Sequence, residues 1–61
     1  MKNIDLTPIK QLVKEMLGYR KEAQHAFRQS IVNDLQTLGY TAEGAEQKVD
    51  EFELEVRQAR T

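Results

Sequence analysis

Leu38-Gly39-Tyr40-Thr41 decides the reading of this chain, because it closes one amphipathic helix and opens another within four residues. Gly39 can take the left-handed backbone that ends a helix, since it has no Cβ to clash. Thr41 is suited to accept a backbone N–H bond as the N-cap of the helix that follows. Beyond it, Ala42, Ala45, Val49, Phe52, Val56 and Ala59 recur at spacings of 3, 4, 3, 4 and 3. That spacing lays all six on one stripe of a helix over residues 42–59. On the other side, Ala23, Phe27, Ile31, Leu35 and Leu38 form the inner face of a helix over residues 20–38. Gln24, His25, Gln29 and Gln36 fall outside that face. Two helices joined by so short a turn are expected to lie antiparallel, as an αα-hairpin.

Thr7-Pro8 is a helix start signal, with Thr as the cap and Pro tolerated at the first helical position. Ile9, Leu12, Val13, Met16 and Leu17 follow at i, i+3, i+4, i+7 and i+8, which predicts a helix over residues 8–17. Residues 1–7 are a lead-in arm in which Ile4 and Leu6 alternate with Asn3 and Asp5. It reads as an extended segment docked on an apolar surface or as a frayed end. Gly18 has two readings. It is a left-handed cap with Tyr19-Arg20-Lys21 as a turn, or the interior of one long bent helix at a cost of about 1 kcal/mol relative to Ala. A break is the favoured one. The expected fold is therefore all-α: three helices in a single small domain over residues 1–61.

Sixty-one residues bury only about 60% of their unfolded surface, and a lone core of this size rarely supplies more than about 3–5 kcal/mol. Such chains usually recruit disulfides, a metal or a partner. Cysteine is absent and histidine occurs once, which removes disulfides and most transition-metal sites. Association with another chain is the support left, and a homodimer is expected. No apolar run approaches a membrane span and the N-terminus lacks the apolar core of a signal peptide, so a cytoplasmic protein is expected.

Charge is split along the chain. Residues 1–30 hold six Lys/Arg against three Asp/Glu, and residues 31–61 hold three against seven, for a net charge of −1. Lys10, Lys14, Arg20, Lys21 and Arg28 make the first half basic and are candidate phosphate contacts. The other reading makes them a solvated face or the complement of the acidic third helix, within the fold or a dimer, and is preferred. A helix-turn-helix reading fares worse, because its recognition helix would carry Glu43, Glu46, Asp50, Glu51, Glu53 and Glu55 into a negatively charged groove. That acidic helix could instead bind a basic surface.

Leu38-Gly39-Tyr40 followed by Ala45 and Val49 resembles the helical hairpin of ubiquitin-associated-type domains. It also resembles the small C-terminal domain of the bacterial Holliday-junction-binding helicase subunit. The resemblance covers about 15 residues and stops where the third helix continues past Val49, since those domains use a short helix there. It implies a helical hairpin and carries no function.

Val32 and Leu54 fall out of phase with their helices, on the outer face. Together with Ile4 and Leu6 they are the candidate partner or dimer contacts. The stripe of the third helix can also be written as a short coiled-coil seam, but it spans fewer than three heptads and half of it is Ala. His25 has no second histidine at i±3 or i±4. No nucleophile–base pair or glycine-rich phosphate loop is present, so catalysis, cofactors and a small-molecule ligand are not expected. The function expected is that of a non-enzymatic regulatory or adaptor protein acting through protein–protein contact, as a homodimer with an unidentified partner protein. A nucleic-acid-binding regulator using the basic half is the alternative.

Overall fold

Three α-helices make up residues 5–59, the part of the chain that the computed structural model describes: α1 (Thr7–Met16), α2 (Lys21–Thr37) and α3 (Ala42–Ala59). Among the described residues there is no strand. Each helix packs on the other two.

The α2–α3 turn behaves as its sequence demands. Gly39 sits at φ 112°. Its N–H bonds the Gln36 carbonyl at 3.0 Å, and the Tyr40 N–H reaches back to the Leu35 carbonyl at 3.1 Å. This pair of bonds is the Schellman ending, which satisfies carbonyls that the last helical turn leaves open. Tyr40 is half-buried against the core that holds Leu35, the apolar contact that accompanies this ending. Thr41 Oγ1 then accepts the Gly44 N–H at 3.0 Å and caps α3. The Tyr40 ring lies over Gly44: a Cβ there would stand 3.8 Å from the ring and 3.1 Å from Thr41 Oγ1.

The α1–α2 turn is different. Gly39 is the only described residue with a positive φ, so Gly18 is no left-handed cap. Instead α1 winds down through i→i−3 bonds, from Gly18 N–H to the Glu15 carbonyl and from Tyr19 N–H to the Met16 carbonyl, both 3.0 Å. Arg20 is extended, at φ −65° and ψ 153°, and that residue redirects the chain. Gln24 Nε2 donates to the Tyr19 carbonyl at 2.8 Å and holds the corner. The Tyr19 ring meets Phe27 edge-on, with centroids 5.2 Å apart. The chain is therefore broken near Gly18, but through Arg20 rather than through glycine's conformational freedom.

At the start of α1 the capping oxygen comes from Asp5 rather than from Thr7, which lies inside the helix. Asp5 Oδ1 accepts the Thr7 N–H at 2.9 Å. Hydrogen bonding by the Thr7 side chain, and next by its backbone N–H, holds the Asp5 carboxyl below the usual carboxylate range.

The core is built from Ile9, Val13 and Met16 of α1, Ile31, Val32 and Leu35 of α2, and Ala45, Val49 and Phe52 of α3. The α3 stripe is inward as read, with Val56 also buried and only its end members Ala42 and Ala59 exposed. The inner face of α2 is rotated from its expected position. Ala23 and Leu38 are exposed, Phe27 is half-buried, and Gln24 and Arg28 are half-buried in their place. Val32 moves with that rotation. It is 6% exposed and belongs to the common core, which corrects its expected place on the outer face.

Candidate functional site

The charge split along the sequence closes up in space on the two flanks of α3. On the α1 side, Lys10 Nζ donates to Glu55 Oε1 at 2.8 Å. On the α2 side, Arg28 donates to Glu53 Oε2 at 2.7 Å and to Asp50 Oδ1 at 2.8 Å, and its second nitrogen also reaches the Glu46 carbonyl at 3.3 Å. Arg57 adds an ion pair with the other oxygen of Glu53 at 3.6 Å. The two flanks are not equal. Lys10 and Glu55 are both about half-exposed, so their pair contributes no more than about 1 kcal/mol. The Arg28 and Glu53 side chains are 24% and 19% exposed, and Arg28 is shared among groups of one helix face. A planar guanidinium suits that arrangement, and its aliphatic stem can lie against the edge of the core.

Of the five basic residues that were candidate phosphate contacts, Lys10 and Arg28 are thus engaged by α3 carboxylates. Lys14, Arg20 and Lys21 are exposed and form no ion pair with another described residue. They do not make a purely basic surface, because Glu15 and Glu22 are exposed beside them in the chain.

Two open depressions flank the same helix. One, of about 270 Å³, lies between α1 and the end of α3 and is lined by Lys10, Gln11, Lys14, Glu55, Val56 and Ala59. The other, of about 260 Å³, brings Lys21, Gln24, His25 and Arg28 of α2 together with Met16 and Glu53. His25 thereby shares the depression with a carboxylate of α3, in addition to Glu22 three residues before it in its own helix. Both lie just under the roughly 300 Å³ at which ligand pockets begin. Among the described residues no group of His, Cys, Asp and Glu side chains is placed to hold a metal ion, and no helix is long and apolar enough to cross a membrane.

The four candidate partner contacts separate. Ile4 lies outside the described residues. Leu6 packs partly against the core and Val32 is inside it. Leu54 is 58% exposed, the most exposed large apolar side chain among the described residues. It stands in an outward row of α3, Glu43, Gln47, Asp50, Leu54 and Gln58, all exposed. Exposed Tyr19 and Leu38 were not among the expected contacts, because the apolar pattern placed Leu38 inward and Tyr19 in a turn. Phe52 is flanked by Lys48, whose Nζ lies 5.8 Å from the ring centroid, a cation–π contact at the edge of the stripe.

Compared with known proteins, the chain matches no family model, no curated protein and no solved structure.

Proposed function

We propose that this chain is a non-enzymatic regulatory or adaptor protein that acts by presenting the outward side of the α2–α3 hairpin to another protein. The observation that carries the reading is the exposure of Leu54 within a row whose remaining members are polar or acidic. The pairing of Lys10 and Arg28 with α3 supports it from the other direction, since it removes two cations from the nucleic-acid alternative. The antiparallel course of α2 and α3 is supported by the short Gly39 turn between them, with Arg28 near the middle of α2 meeting Asp50 and Glu53 near the middle of α3. A homodimer is the form of this reading in which the second chain is a copy. With Val32 and Leu6 serving the monomer, that form rests on Leu54, Leu38 and Tyr19.

Affinity capture from the native host with mass spectrometry, run in parallel with wild-type and Leu54→Glu baits, tests the proposal. A protein recovered by the wild type and lost from the variant is the expected result. Equal recovery on both baits, or none on either, overturns the assignment of the surface. Sedimentation equilibrium separates the homodimer from a different partner.

A further inference from the structure

Building on the protein-binding reading, we infer that the outward row of α3 takes a cationic amphipathic helix of another protein, seated on Leu54. Glu43, Gln47, Asp50, Leu54 and Gln58 recur at i, i+4, i+7, i+11 and i+15, so they form one line along a helix of 18 residues. No Lys or Arg stands in that line. The cations near α3 lie to its sides: Lys10 meets Glu55 on one flank, Arg28 meets Glu53 and Asp50 on the other, and Arg57, exposed beside the row, pairs with Glu53. Glu43 forms no ion pair with another described residue, and Glu51, beside the row, is held only by Lys48 at 3.7 Å. A partner helix with an apolar residue on Leu54 and Lys or Arg to one side of it would meet Glu43, Asp50 and Glu51, all on the N-terminal side of that anchor. Helix-on-helix recognition reads anchors at this same spacing.

A second copy of the chain is a poorer occupant of this row. Two such rows packed parallel would set Glu43, Asp50 and Glu51 against their own kind, and like charges opposed across an interface cost affinity.

The test is a titration of the full ¹⁵N-labelled chain with a synthetic amphipathic helical peptide of Leu and Lys, followed by amide chemical shifts. A matched peptide of Leu and Glu is the control. Saturable shifts centred on residues 43–58 of the outward row are expected, with the Leu/Glu peptide inert. Leu54→Glu separates anchored docking from plain charge attraction, because it adds a negative charge. The inference expects binding of the Leu/Lys peptide to fall by about tenfold or more. Charge attraction alone would strengthen it. Glu43→Lys should weaken it as well. Shifts spread over the whole molecule, no shifts, or tighter binding by Leu54→Glu would overturn the inference. Docking of the Leu/Glu peptide on the row would also overturn it, while leaving the broader reading to the capture experiment.

Discussion

On its inward face α3 presents Ala45, Val49, Phe52 and Val56, all buried; on its outward face it presents Glu43, Gln47, Asp50, Leu54 and Gln58, all exposed. The two faces are interleaved along the same 18 residues, and between them run the flanks that carry the ion pairs to α1 and α2. The inward face is small-to-medium apolar with one aromatic, which lets α3 lie close to two other helices. Its outward row has one apolar side chain, and the exposed Arg57 stands beside it. The contrast teaches that the acidity of α3 has two parts: Asp50, Glu53 and Glu55 bind the rest of the fold, and Glu43 of the outer row is exposed with no ion pair to another described residue.

The largest effect should come from the inward face. Phe52→Ala removes the only aromatic side chain of the stripe and should cost about 3–5 kcal/mol. That is comparable to all the stability a core of this size supplies, about 3–5 kcal/mol, so urea unfolding or circular dichroism should show a largely unfolded variant. A folded variant with an unchanged midpoint would break the comparison, because the stripe would not be the buried side.

The flanks come next. Arg28→Ala should cost about 1–2 kcal/mol, discounted for its partial exposure, since it leaves the half-buried Glu53 without its nearest cation. Lys10→Ala should cost no more than about 0.5 kcal/mol, because that pair is open to solvent. Equal losses from the two, measured by urea titration in the same buffer, would remove the distinction between the α2 and α1 flanks.

The turn that delivers α3 to the core gives a third contrast. Gly39→Ala meets no neighbouring atom, so its cost of about 1 kcal/mol is purely that of a Cβ at positive φ. Gly18→Ala has no such φ to satisfy, and its Cβ would rest 3.4 Å from the Glu15 carbonyl oxygen. It should fall within about 0.5 kcal/mol of wild type. Thermal melts of the pair should differ in that order, and the reverse order would contradict both turn assignments.

These two glycines also show what was legible in the sequence. Gly39 was readable because Leu38 before it and Tyr40-Thr41 after it supply every part of a Schellman ending and a cap. The same reading favours Gly18 as the cap of α1 over an unbroken helix, but the backbone reverses at Arg20, where no residue type announces it. The α3 stripe was legible because every member is apolar. The face of α2 was not, because Arg28 belongs to it, and a count of apolar residues cannot see a cation whose countercharges sit on another helix. Restoring Arg28 to the inner side brings Val32 in and turns Ala23 and Leu38 out. The same pairing was within reach from the basic and acidic halves, but which two cations α3 would engage depended on the crossing of the helices.

The most direct measurement of the division between the two faces is the unfolding free energy of Leu54→Glu by urea titration, compared with wild type at the same protein concentration. A charge placed at an exposed site should leave stability within about 0.5 kcal/mol of wild type. A loss of more than about 2 kcal/mol, the size expected for a charge forced into a buried apolar site, would show that the outward row is covered in the protein's own folded state and would contradict its assignment as a free binding face.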